Sequence, residues 1–299
     1  MIGYPAALFA FAETLDPARR LAAALDLPCI EIELHRFPDG ESRVRVPVSA
    51  QAALLYRSLD RPNDKLVELM LAASALRDSG TARLTLVAPY LCYMRQDMAF
   101  RPGEAVSQRA VCGFLDRLFD AVVTVEPHLH RIESLSSVFA TAQATALSAT
   151  ALLARTLRSD GIDPATVLVG PDGESRQWAE ALAAATGLPF ILGDKHRAGD
   201  RDIRIALPEA GRVQGRPALL IDDMVSTGRT LAECAALLHA AKATRVEALV
   251  VHALYGPADA AALAEAGIAR IRSTDGVPHP SNAVSLAPLL AEALRGGSA

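Results

Sequence analysis

Two carboxylates stand side by side at Asp222 and Asp223, and Ser226, Thr227, Gly228, Arg229 and Thr230 follow within a few residues. Hydroxyls, a glycine and the unpaired amides of a helix start are the groups that receive a phosphate monoester. Gly228 lets the backbone close on a ligand, and the amides carry the positive end of the helix dipole. The acids cannot serve the same phosphate, because like charges at close range repel. They can accept hydrogen bonds from a vicinal diol or meet a cation shared with it. A sugar phosphate satisfies both halves: the loop takes its phosphate and the acids take its ring hydroxyls.

Other clusters are less specific when read alone. Arg95, Gln96 and Asp97 follow an apolar run ending at Ala88 and have the composition of a solvated loop. Phe37, Asp39 and Glu41 surround Asp39-Gly40, a common hairpin-turn pair. His128 and His130 stand two apart beyond a run ending at Val125, as metal ligands or as surface residues. Asp172 closes another run inside a glycine-rich turn. Lys195 and Arg197 belong to the polar stretch "GDKHRAGDR", whose bland reading is a solvated loop.

The elements that must position these groups alternate along the chain. Strands are expected at Leu84–Ala88, Ala121–Val125, Thr166–Val169, Ala218–Ile221 and Val246–His252. Helices are expected at Pro17–Leu25, Lys65–Ser79, Ser107–Phe119, Ser148–Ser159, Ser175–Thr186 and Thr230–Ala241. Such alternation predicts an α/β fold of mainly parallel sheets flanked by helices, with ligands at the C-terminal ends of the strands. "CIEIELHRFPDGESRVRVPV" breaks the rhythm: apolar and polar residues alternate on both sides of the turn pair, as in a projecting β-hairpin that can reach a partner subunit.

At 299 residues the chain suits two domains, with the crossover between Leu147 and Pro164, hence domains at 1–146 and 147–299. The net charge of −4 gives no general pull toward nucleic acid or membranes, so any phosphate site must be local. Cys29, Cys92, Cys112 and Cys234 lie far apart, as reduced thiols of a cytoplasmic protein do. The apolar stretch Pro5 to Ala12 lacks the basic leader of a signal peptide and the length of a membrane span.

The acid pair and its loop resemble the ribose-phosphate loop of the phosphoribosyltransferase-like superfamily. Taken in order, "RFPDGES", "PYLCYMRQD", "PHLHRI", "GPDGES", "DKHR", "IDDMVSTGRT" and "VSLAPLLAEAL" resemble the ribose-phosphate pyrophosphokinase family along nearly the whole chain. The resemblance implies two phosphoribosyltransferase-like domains, the hairpin belonging to the first. It implies transfer of the diphosphoryl group of Mg-ATP to ribose 5-phosphate. By position, Phe37, Asp39 and Glu41 would contact the adenine of a neighbouring subunit's ATP, and Arg95, Gln96 and Asp97 the nucleotide of their own. His128 and Asp172 would hold Mg²⁺. Asp222 and Asp223 would bind the ribose hydroxyls or a second cation, with Ser226, Thr227, Gly228, Arg229 and Thr230 around the 5-phosphate. Lys195 and Arg197 would be the catalytic cations of a mobile loop. A shared adenine site implies a homo-oligomer, at least a dimer.

The sequence departs from the family pattern at Asp172-Gly173-Glu174-Ser175, where a second glycine is usual, and at Pro127 and Arg131. His130 has no counterpart. "STGRT" is closer to true phosphoribosyltransferases, which leaves an enzyme consuming phosphoribosyl diphosphate as one alternative. A catalytically silent, regulatory paralogue is another.

Overall fold

The computed structural model describes residues 3–129, 132, 134–197 and 203–296; for residues 3–5, 195–197, 203 and 204 it describes the backbone alone. His130 and Arg131 lie outside the described residues. The strands are β1 (Gly3–Phe11), β2 (Cys29–Arg36), β3 (Ser42–Arg45), β4 (Ser49–Tyr56), β5 (Arg83–Val87), β6 (Ala121–Val125), β7 (Gln143–Leu147), β8 (Val167–Gly170), β9 (Phe190–Leu192), β10 (Asp194–Arg197), β11 (Ile203–Ala206), β12 (Pro217–Val225), β13 (Arg245–Ala253), β14 (Ile268–Thr274) and β15 (Asn282–Val284). The helices are α1 (Leu15–Leu25), α2 (Pro62–Asp78), α3 (Ser107–Asp116), α4 (Thr150–Ser159), α5 (Arg176–Thr186), α6 (Arg229–Ala240), α7 (Pro257–Glu265) and α8 (Ala287–Gly296). Each helix expected from the sequence is found, displaced at its ends by at most a few residues.

Two compact units divide the chain: Met1–Ser148 with Gly276–Pro278 and Ser285–Ala299, and Ala149–Asp275 with His279–Val284. The first unit holds a seven-stranded sheet in the order β3-β2-β1-β4-β5-β6-β7. Its pairs are parallel except β2 with β3, the expected hairpin, which forms one edge. Every residue of β6 is buried, as a central parallel strand covered on both faces requires. The last helix, α8, joins this unit by packing against α1, with Leu290 and Ala291 buried, so the linear assignment of 147–299 to one domain does not hold for the final residues. Sequence order alone cannot show such a return.

The second unit holds a six-stranded parallel sheet in the order β15-β14-β13-β12-β8-β9, with a separate two-stranded ribbon of β10 and β11. Its core is built from Val167, Val169, Leu220, Val250 and Ile191 on the strands and Leu231, Cys234 and Leu238 on α6. The apolar positions of α6 recur at three- and four-residue spacing, which lays one stripe on the sheet. No described helix is long and apolar enough to cross a membrane.

Candidate active site

The second sheet changes direction between β8 and β12: β9 lies outward of one, β13 of the other. Beyond the C-terminal ends of two such strands an open crevice is left, because their connections run to opposite sides. Asp172 follows β8, and Asp222 and Asp223 lie in the C-terminal half of β12, where the charges of Asp172 and Asp223 both bear on Asp222.

The sequence placed the acid pair beyond its strand. β12 instead continues through both to Val225, because Asp222 pairs with Val250 and Met224 with His252 of β13. Ladder hydrogen bonds from a neighbouring strand override the poor strand preference of aspartate. Successive strand residues face opposite ways. Asp223 is 2% exposed, whereas Asp222 is half-buried. The Asp223 amide donates to Asp222 Oδ1 at 3.0 Å. Burial raises the Asp222 pKa well above the ordinary carboxylate value, and the charges of Asp223 and Asp172 push it the same way.

After Val225 come half-buried Ser226, exposed Thr227 and buried Gly228. Gly228 adopts φ +74°, a left-handed conformation that L side chains rarely take. A Cβ there would also lie 2.7 Å from the Leu263 side chain of α7. Gly228 is thus required twice, by conformation and by space. No side chain caps α6 at this N-terminus, so the loop and the first amides keep their capacity for an anion.

Asp172 is held by its own turn. Its Oδ1 accepts from the amides of Glu174 at 3.0 Å and Ser175 at 3.3 Å, while Ser175 Oγ donates to its carbonyl at 2.6 Å. Two glycines bring this turn close to its neighbours. A Cβ on Gly170 would meet Ser175 Oγ at 2.4 Å, and one on Gly193 would meet the Pro171 carbonyl at 2.3 Å. Glu174, the departure noted in the sequence, is exposed.

Lys195 and Arg197 were expected in a loop. Their backbone is strand β10, with Lys195 opposite Ile205 and Arg197 opposite Ile203 of β11. The ribbon is tied to α6 where the Ile205 amide donates to Glu233 Oε1 at 2.9 Å. Antiparallel pairing, rather than the polar composition of the segment, decides its conformation here.

In the first unit the hairpin tip carries Phe37, Asp39 and Glu41, all exposed. The Glu41 amide donates to Asp39 Oδ1 at 3.1 Å, an Asx-type turn, and Phe37 and Glu41 close it through a backbone bond of 2.8 Å. The Phe37 ring packs edge-on against His35, with centroids 4.7 Å apart. Arg95 is exposed after Tyr93, which holds φ +62° and donates its hydroxyl to Asn63 of α2. Gln96 receives Ser107 Oγ on its side chain and the Gln108 amide on its carbonyl. Asp97 lines a cavity of about 350 Å³ with Gln108, Arg109, Ser137 and Phe139. His128 is half-buried beyond β6. The turn before it is fixed by Glu126, at φ +40°, whose amide donates to the Leu147 carbonyl and whose carboxylate receives Ser148 Oγ at 2.7 Å.

Sequence reading missed a charged network at the base of the hairpin, comprising Arg57, Glu13, Glu68, Arg36 and Ser42. A signal was present: Glu68 falls on the same helical stripe as buried Leu69, Ala72, Ala73 and Leu76. A carboxylate in an apolar stripe needs a buried partner.

Comparison with known proteins gives two family models. The N-terminal domain of ribose phosphate pyrophosphokinase matches residues 6–118, and the phosphoribosyl transferase domain matches residues 138–269. A ribose-phosphate pyrophosphokinase of Methanopyrus kandleri is 35% identical over 291 residues, covering 96% of this chain and 98% of its own length. One from Saccharolobus solfataricus is 32% identical over 262 residues, covering 85% of this chain and 87% of its own. The crystal structure of phosphoribosylpyrophosphate synthetase from Mycobacterium smegmatis superposes with a TM-score of 0.82 at 27% identity, covering 97% of this chain and 98% of that one. Sheet order, crevice and relatives agree, and the chain belongs to the ribose-phosphate pyrophosphokinase family of enzymes.

Proposed function

We propose that the protein transfers the diphosphoryl group of Mg-ATP to the anomeric hydroxyl of ribose 5-phosphate, giving 5-phosphoribosyl 1-diphosphate and AMP. The observation that carries this reading is the crevice of the second sheet. There two strand-borne carboxylates precede a glycine-opened, uncapped helix N-terminus. Ser226, Thr227, Gly228, Arg229 and Thr230 hold the 5-phosphate, and Asp222 and Asp223 accept the ribose hydroxyls. Phe37, Asp39 and Glu41 read the adenine of a neighbouring subunit, while Arg95, Gln96 and Asp97 hold the nucleotide of their own, so at least a dimer is needed.

The residues present suit Mg²⁺. The crowding of Asp172, Asp222 and Asp223 that raises the Asp222 pKa is a deficit that a hard cation relieves. Among the described residues no group of three or more His, Cys, Asp and Glu side chains could hold a metal by itself. Asp172 is the side chain of this crevice assigned to it, and His128 carries a metal role by the family resemblance alone. Bound Mg²⁺ supplies neutralisation of charge on the phosphate oxygens.

The sugar hydroxyl attacks the β-phosphorus, the bond from that phosphorus to the oxygen of the α-phosphate breaks, and AMP leaves. Both reactants are anionic, so the protein contributes alignment and positive charge. One cation about 4 Å from a phosphoryl charge contributes about 4 kcal/mol at an effective dielectric near 20. Lys195 and Arg197 provide such cations.

Phosphorus NMR of the purified protein with ribose 5-phosphate, Mg²⁺ and ATP tests the proposal. AMP formed only when the sugar is present is the expected result. ADP in its place would reveal a simple kinase. Absence of turnover would point to a silent paralogue, unless a second incubation with phosphoribosyl diphosphate and a base showed their consumption, as a phosphoribosyltransferase would.

A further inference from the structure

The first sheet also changes direction, between β1 and β4. The crevice beyond those strand ends is where an open α/β sheet ordinarily takes a ligand. In this unit the chain's own side chains fill it. Arg57 directly follows β4 and is fully buried, its guanidinium 3.7 Å from the ring centroid of Phe11 at the end of β1. Its Nε donates to Glu13 Oε1 at 2.9 Å, its Nη1 to the Lys65 carbonyl at 3.3 Å, and its Nη2 to Glu68 Oε2.

Glu68 faces two ways. Its other oxygen, Oε1, receives Arg36 Nε at 2.9 Å, Arg36 Nη2 at 2.8 Å and Ser42 Oγ at 3.4 Å. Arg36 is the last residue of β2 and Ser42 the first of β3, so this oxygen grips both legs of the hairpin immediately below its tip. One carboxylate therefore joins the filled crevice to the segment that carries Phe37, Asp39 and Glu41.

The outer half of this arrangement adds little to stability. The Arg36 side chain is more than half exposed, and an ion pair with such a partner is weak. What two donors from one guanidinium on one oxygen do provide is direction. The tip has no core of its own, and a two-stranded ribbon is poorly ordered unless something holds its base. We infer that Glu68 is a positioning residue for the nucleotide: through Arg36 and Ser42 it sets the angle at which the hairpin presents Phe37, Asp39 and Glu41 to ATP. This rests on the proposed role of the hairpin.

Glu68 itself is a poor site for the test, since its loss also removes the buried partner of Arg57 and leaves that guanidinium Glu13 alone. Arg36→Met cuts the outer contact, keeps the side-chain stem and leaves the Arg57–Glu68 pair intact. With the full chain, steady-state kinetics on ATP and ribose 5-phosphate should be run beside thermal melts for Arg36→Met, Arg36→Lys and Phe37→Ala. The expected result for Arg36→Met is a KM for ATP raised about tenfold, with kcat and the KM for ribose 5-phosphate within about twofold. The melt should be unchanged, and Arg36→Lys should recover part of the loss. If Arg36→Met leaves the KM for ATP alone while Phe37→Ala raises it, the hairpin reads nucleotide without this tether and the inference fails by itself. If Phe37→Ala has no effect on ATP either, the role of the hairpin falls and the inference with it. A parallel rise in both KM values with a lowered melt would show a purely structural contact and overturn the assignment.

Discussion

Arg57 and Glu68 meet as an ion pair with their side chains 0% and 1% exposed, at the switch point of the first sheet. Removing Glu68 takes from fully buried Arg57 the more deeply buried of its two carboxylate partners and leaves it Glu13 alone. Glu68→Leu should cost about 3–5 kcal/mol in chemical denaturation, whereas Arg57→Met with Glu68→Leu should recover most of it, since two apolar groups strand no charge. A single variant as stable as the parent would contradict the pairing.

The same pair gives the acid limb of stability a definite sign. Burial alone would raise the Glu68 carboxyl, but hydrogen bonds and charge from Arg57 and Arg36 outweigh it and hold the pKa below its ordinary 4.5. Between the two values the unfolded chain binds the proton and the folded chain does not, so stability rises with pH there. The contribution is complete above the ordinary glutamate value and is lost as pH falls through the folded one. Denaturant midpoints measured from pH 6 down to about pH 3 should fall more steeply for the parent than for the double variant.

Gly228→Ala tests the proposed phosphate role of its loop. The new Cβ meets both a left-handed backbone and Leu263, so stability should drop by about 1–3 kcal/mol. The KM for ribose 5-phosphate should rise at least about tenfold while that for ATP stays put. Equal rises in both would detach the loop from the sugar phosphate.

Asp222→Asn should trade activity for stability. The folded protein holds the Asp222 proton beyond its ordinary value of 3.8, so the parent loses stability as pH climbs past that point. Asparagine does not titrate. Melts across pH 4 to 8 should show the variant gaining on the parent as pH rises, and kcat/KM for ribose 5-phosphate should fall about a hundredfold. A variant less stable than the parent at pH 8 would show that the carboxylate is already neutralised within the protein.

Lys195→Ala should lower kcat about a hundredfold or more with small changes in either KM, because its charge is needed most in the transition state. A large KM change with kcat intact would make Lys195 a binding residue only.

Much of this was legible in the sequence, for physical reasons that differ by element. Helical periodicity located α1 through α6, and Asp39-Gly40 between alternating runs located the hairpin. β1 was seen only as an apolar stretch, since its buried character comes from pairing with β2 and β4. The two aspartates read as loop residues because strand propensity ignores the neighbour that pairs with them. Arg57 and Glu68 were passed over in the sequence, and only the contact between segments eleven residues apart shows that they cancel. The loop from Ser226 to Thr230 was readable because its residues are contiguous. The tether was not, because Arg36, Arg57 and Glu68 are scattered along the chain.

Helix α2 carries Asn63, which receives Tyr93 ahead of Arg95 and Gln96, and Glu68, which grips the hairpin legs. A designer who grafts a foreign hairpin tip onto this scaffold must transplant its footing as well. Swapping residues 37–41 alone keeps a mount cut for the original part, and swapping α2 to suit the new tip disturbs the Tyr93 seat in the same stroke.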